Sequence, residues 1–120
     1  MKKVLPLLIV ALMAITGCHR GPATYEKAEN TKQLIENVEK FVNQTEKYSK
    51  HYSAEDWQFA VEQFGTMSKD YVKYRYILTP EDQMRFDNAR LKFMGAIDKN
   101  GSEEIVKQVK ELYSEVLEQS

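Results

Sequence analysis

At 120 residues the chain has room for one small domain with one core, and its 17 Lys and Arg against 18 Asp and Glu leave it close to neutral. That balance argues against nucleic acid, whose backbone demands a basic face. A single cysteine, Cys18, excludes a disulfide framework.

The first eighteen residues carry the clearest signal. Lys2 and Lys3 precede an apolar run from Val4 to Ile15, which is followed by Ile15-Thr16-Gly17-Cys18. Such a run is short of the ~20 residues a spanning helix needs, so it reads as a processed export signal. Small Thr16 and Gly17 fit a peptidase pocket, and the Cys18 thiolate can take a diacylglyceryl group before cleavage. Residues 1–17 are therefore predicted to be a lipoprotein signal peptide, residues 18–24 the lipidated Cys18 and its tether, and residues 25–120 the folded domain. Dropping Lys2 and Lys3 leaves 15 basic against 18 acidic side chains, a charge of −3. Two or three acyl chains amount to a stable membrane anchor, so the domain is tethered rather than embedded.

His19 to Thr24 contains Gly21 and Pro22 without apolar periodicity and reads as a flexible tether, with nothing packed before about Leu34. From about residue 24 the pattern turns helical, with Leu34, Val38, Phe41, Thr45, Tyr48 and Tyr52 recurring every three or four residues, which predicts a first helix over 24–51. Ser53 with Asp56 predicts a capped start to a second helix over 54–78. Its stripe of Trp57, Ala60, Phe64, Met67, Tyr71, Tyr74 and Leu78 has the spacing of a coiled-coil-like bundle seam. Thr79-Pro80-Glu81-Asp82 is a strong helix opening, with Pro80 where its missing N–H costs nothing and two carboxylates at the positive end of the helix dipole. The third helix should bury Met84, Leu91, Phe93, Met94, Ala96 and Ile97, and stop at Asn100-Gly101 in a left-handed turn. Ser102 should cap a fourth, shortest helix with Ile105, Val109, Leu112 and Val116 inward.

The predicted fold class is thus all-α, an antiparallel helical bundle of three long helices plus a shorter C-terminal helix. Reversal at Thr79 places Gly65 level with Gly95, which predicts close packing of two backbones there. Reversal at Ser53 pairs Tyr48 with Trp57, Phe41 with Phe64 and Val38 with Met67, an aromatic-rich core.

Chemistry is sparse. His19 and His51 have no Cys or carboxylate partners at ligand spacing, so no metal is expected, and His51 suits the negative end of the first helix. No phosphate loop, nucleophile elbow or other cofactor motif is present, so no cofactor and no enzymatic activity are expected. Lys69, Lys73 and Arg75 interleave with Tyr71, Tyr74 and Tyr76, and Arg85, Arg90 and Lys92 follow. Because Tyr71 and Tyr74 fall on the seam, Lys73, Arg75 and exposed Tyr76 form the candidate partner-binding patch, open to an envelope protein, a glycan or an anionic headgroup. Trp57, Phe64, Met67, Phe93 and Met94 admit a second reading, as the lining of an interhelical cavity for a small apolar ligand, although a stripe of this kind is ordinarily core.

The constellation of lipobox, Ser53-Ala54-Glu55-Asp56-Trp57, Phe64, Tyr71, Leu78-Thr79-Pro80-Glu81 and Leu91-Lys92-Phe93-Met94 resembles the small helical lipoproteins of unknown function abundant in Bacteroidota. The resemblance implies an envelope-attached helical domain and carries over no catalytic or binding residue. A narrower similarity is to periplasmic stress-response adaptors with Leu-Thr-x-x-Gln at a helix start. Here the run is Leu78-Thr79-Pro80-Glu81-Asp82-Gln83, with the glutamine one position late. The leading expectation is a membrane-anchored, non-enzymatic interaction or adaptor module, with a small-ligand binder as the alternative. With no Asp at position 19 and no acidic run after Cys18, the expected site is the inner leaflet of the outer membrane, facing the periplasm.

Overall fold

A computed structural model describes residues 21–118, and within them the chain forms four α-helices and no strand. Residues 1–20, including Cys18 and the signal peptide, and residues 119–120 lie outside the described residues. The helices are α1 (Thr31–Tyr48), α2 (Ala54–Tyr74), α3 (Pro80–Asn100) and α4 (Glu103–Glu118), with 3₁₀ turns at Ser49–His51 and Arg75–Ile77. At 16 residues α4 is the shortest.

Three of the four starts follow from local chemistry as the sequence predicts. Ser53 accepts from the Asp56 amide while Asp56 accepts from the Ser53 amide, a complete capping box. Thr79 accepts from Asp82 N at 3.1 Å with Pro80 in the first turn, and Ser102 accepts from Ile105 N at 3.2 Å. The start of α1 is different. The helix expected from residue 24 begins at Thr31, capped by Asn30, whose side chain accepts from Gln33 N. Upstream amides are held by distant side chains, Tyr25 N by Gln63 Oε1 and Ala28 N by Asp70 Oδ2, both at 2.8 Å. Residues 21–30 therefore form an irregular strap laid along the bundle, with Tyr25 and Ala28 buried. The expectation that nothing packs before Leu34 is corrected by these two residues.

Consecutive helices run antiparallel. Tyr71 stacks on Phe86 at 3.8 Å and Phe64 on Phe93 at 4.5 Å, as expected if numbers rise on α2 while falling on α3. The closest backbone approaches, however, are between alternate helices, α1 with α3 and α2 with α4. These pairs run parallel. Glu39 on α1 meets Arg85 and Ser49, just past the end of α1, meets Asn100 on α3, while Gln58 meets Gln108 and Phe64 meets Tyr113 along α2 and α4. Small side chains permit the approach, among them Gly65 on α2, where an added Cβ would lie 3.2 Å from Leu112 Cδ2.

The expected Gly65–Gly95 contact is thus corrected. The two share a level, yet Gly65 faces α4 and nothing lies within 4 Å of a Cβ on Gly95. Gly101 also departs from expectation. Its φ is −93°, outside the left-handed region, and what favours glycine is crowding, since a Cβ would lie 3.0 Å from the Ile97 carbonyl oxygen.

Large rings fill the space between the two helix pairs. A row of aromatic contacts, Tyr25–Phe41–Phe93–Phe64–Tyr113, links the strap to α1, α3, α2 and α4 in turn, with centroids 4.5 to 6.2 Å apart. Phe41 meets Phe93 in this row, and Trp57 meets Tyr52 edge-on at 5.0 Å, four residues past the expected Tyr48. On α3 the buried stripe is Phe86, Ala89, Phe93, Ala96 and Ile97. Met84 and Leu91, expected inward, are 62% and 57% exposed.

Candidate functional site

The end of the bundle where α2 turns into α3 carries an unusual amount of exposed apolar surface. Tyr76 is 82% exposed, Ile77 69% and Met84 62%. Their placement follows from the chain's punctuation. The Arg75–Ile77 turn breaks the α2 seam after Tyr74, and the Thr79-Pro80 restart sets the buried stripe of α3 on Phe86, leaving Met84 outside it.

Arg75 is half-buried rather than fully accessible as the sequence suggests. Its guanidinium lies 4.8 Å from the Tyr76 ring centroid and Nη2 donates to Tyr76 Oη at 2.8 Å, so it braces the ring it was expected to flank. Lys73 is exposed, with Nζ 5.4 Å from the Tyr74 ring. Of the other cations singled out, Arg85 is committed to Glu39 at 2.6 Å and Arg90 packs 5.1 Å from the Tyr113 ring centroid. Gln83 donates to Tyr71 Oη at 2.8 Å and to Asp87 at 3.2 Å, a structural use of the late glutamine.

The five candidate cavity residues do not line one space among the described residues. Trp57, Phe64, Met67 and Phe93 are buried core side chains, and the Phe64–Phe93 stack fills the volume that a cavity there would need. Two open grooves remain at their edges, each of about 460 Å³. One passes Trp57 between the α1–α2 and α3–α4 turns; the other, between α3 and α4, is lined by Phe64, Met94, Tyr113 and Leu117 with Arg90 and Lys110 beside them. Among the described residues no group of three His, Cys, Asp or Glu converges in metal-binding geometry, and His51 is exposed.

Sequence reasoning missed Asp70. This carboxylate is 3% exposed and accepts from Tyr25 Oη at 2.6 Å and Ala28 N at 2.8 Å. Tyr74 Oη donates to the Ala28 carbonyl at 3.1 Å, and Asn37 Nδ2 to the Glu26 carbonyl at 2.9 Å. Burial, then the hydrogen bond and charge of Asp70, push the Tyr25 phenol far above its ordinary value, so the hydroxyl stays a donor. The available signal was an acid three residues beyond Met67 and one before Tyr71, on the inward side of the seam.

A family described as a domain of unknown function (DUF6565) matches residues 45–120. The chain belongs to this family. The DUF6565 match takes in the last turn of α1 and all of α2, α3 and α4, with the tip at Tyr76, Ile77 and Met84 inside it. Asp70 is inside the DUF6565 segment, while its partners Tyr25 and Ala28 precede it. No curated protein and no solved structure matches the chain.

Proposed function

We propose that this DUF6565 protein is an envelope lipoprotein, held by a diacylglyceryl group on Cys18 in the inner leaflet of the outer membrane, and that its helical domain is a non-enzymatic interaction module. The observation that carries the reading is the exposed tip of Tyr76, Ile77 and Met84. Fully burying such side chains contributes about 1.5–3 kcal/mol each, enough for a compact set of binding hot spots. Lys73 beside them favours a partner with an acidic rim. The Arg75 brace restricts the Tyr76 ring before binding, which lowers the entropy lost on docking.

In-cell crosslinking followed by affinity capture tests this, comparing the wild type with a variant carrying Lys73→Glu, Tyr76→Ala and Ile77→Ser. These exposed changes should leave the melting temperature nearly unchanged. A partner captured by the wild type and lost from the variant supports the module; an identical set of captured proteins refutes it. For location, labelling of intact cells should leave the domain unmodified, and labelling equal to that of known surface proteins refutes the periplasm-facing attachment.

The second reading, a carrier of a small apolar ligand, is favoured by the α3–α4 groove with Phe64, Met94 and Leu117 on its wall. Native mass spectrometry of the purified domain decides it, by the presence or absence of a retained small molecule.

A further inference from the structure

The strap has a direction. Tyr25 N meets Gln63 on α2, whereas Ala28 meets Asp70 and Tyr74, so the chain runs alongside α2 toward its C-terminal end. Three extended residues cover ~10 Å and the seven helical residues from Gln63 to Asp70 cover ~10.5 Å, so the two registers agree. On α1 the strap runs the opposite way, as it must: Glu26 meets Asn37, and Thr24 shares a groove with Phe41 and Gln44. Followed backwards from Tyr25, the chain therefore heads for the end of the bundle that holds the α1–α2 and α3–α4 turns. Tyr76 and Ile77 are at the opposite end.

From this we infer that the Asp70 clasp sets the orientation of the anchored domain, keeping the Ser49–Ser53 end beside the lipid and projecting the tip away from it, toward a protein partner that stands off the anchoring leaflet. The inference rests on the reading of Cys18 as the anchor. Two residues, His19 and Arg20, separate Cys18 from Gly21, three steps with a reach of at most ~11 Å. The strap spans at most ~13 Å from Tyr25 to Gly21, and α2 from Gln63 to Tyr74 (~16.5 Å) with the 3₁₀ turn to Ile77 (~6 Å) completes the length, so the tip stands up to roughly 35 Å from the point where the strap begins.

At the lipid-side end the acidic Glu46, Glu55, Asp56, Asp98, Glu103 and Glu104 outnumber Lys47, Lys50 and Lys99, so the folded end is net acidic, anionic headgroups attract it little, and orientation depends on the strap. Freed from Asp70 and from the packing of the Tyr25 ring on Phe41, residues 18–30 would act as a coil with a root-mean-square span of about 20 Å, long enough for the tip to turn toward the membrane.

The test uses the lipidated full-length protein in vesicles of phosphatidylethanolamine and phosphatidylglycerol carrying a nitroxide headgroup lipid. With Cys18 acylated, a cysteine introduced as Lys50→Cys or Ile77→Cys takes a fluorophore alone. We expect quenching at position 50 and none at position 77, with quenching appearing at position 77 when Tyr25→Ala and Asp70→Ala are added together, which removes the ring packed on Phe41 and the acceptor of Ala28 N. Circular dichroism checks that the helices persist in the double variant, and Tyr25→Phe, which removes one hydroxyl and keeps the ring packed on Phe41, should retain the wild-type contrast. Equal quenching at the two positions in otherwise wild-type protein overturns the orientation, as does an unchanged contrast in the folded double variant. Protein that washes off the vesicles at high salt overturns the anchor reading and this inference together.

Discussion

Replacing Asp70 with alanine perturbs one side chain and two segments. The carboxylate is 3% exposed and accepts from Tyr25 Oη and Ala28 N, so alanine leaves both donors without an acceptor. Hydrogen bonds to a charged group contribute about 1.5–3 kcal/mol each. Against this, alanine removes the cost of burying a carboxylate, and the strap can lift to let water reach the donors, which caps the loss. The net destabilisation is expected at ~2–4 kcal/mol, or a fall in Tm on the order of 10–25 °C for a domain of this size. Both donors meet the same carboxylate oxygen, so Asp70→Asn keeps an oxygen able to accept from both, loses only the charge and should cost less than alanine. Thermal melts by circular dichroism give the first number, and hydrogen exchange at the Ala28 amide localises it. A loss under about 0.5 kcal/mol, or an Ala28 amide as protected as in the wild type, would show that Asp70 does not hold the strap.

Trp57→Ala should destabilise by ~3–5 kcal/mol, because the indole is 3% exposed and packs on Tyr52; a melt within about 1 kcal/mol of wild type contradicts this. Gly95→Ala should stabilise by about 0.5–1 kcal/mol, since the site is an exposed helix interior with nothing within 4 Å of the new Cβ, and chemical denaturation would reveal a loss if the backbone there were in fact crowded. Gly65→Ala should gain less, because its Cβ would press Leu112 Cδ2 at 3.2 Å; a gain equal to that at position 95 refutes the close α2–α4 approach. On the alkaline side, burial chiefly pushes the Tyr113 phenol up from 10.0 to about 12, and burial with Asp70 raises Tyr25 further. A raised folded pKa means that the unfolded chain loses its proton first, so stability holds below pH 10 and falls between 10 and 12 as Tyr113 and Tyr25 resist ionisation. Tyr25→Phe should flatten that decline, and an unchanged alkaline limb would rule out a buried, protonated Tyr25.

What the sequence revealed and what it concealed divide along the range of the interactions. The caps at Ser53, Thr79 and Ser102 act over three residues and were legible as written. The start of α1 was not, because its fate is decided by Gln63 and Asp70, 38 and 42 residues away in the chain. The level of Gly65 and Gly95 could be read from the turn, but the preference for alternate-helix packing could not, since hydrophobic spacing marks the inward face without saying which neighbour comes closest. Met84 and Leu91 were placed inward on hydropathy; the Phe86–Ala89–Phe93–Ala96 stripe won because its rings stack on Tyr71 and Phe64. Tyr76 was recognisable as lying beyond the seam, whereas the Arg75 brace depends on a turn geometry that composition does not specify.

Docking at the tip is tested most directly by a photo-reactive amino acid placed at position 77 in living cells, with position 59 on α2 as a control and Met84→Glu as a perturbation beside the first site. A defined protein adduct is expected from position 77, absent from position 59 and lost with Met84→Glu; adducts that form from position 59 instead, or that persist unchanged with Met84→Glu, would contradict the claim.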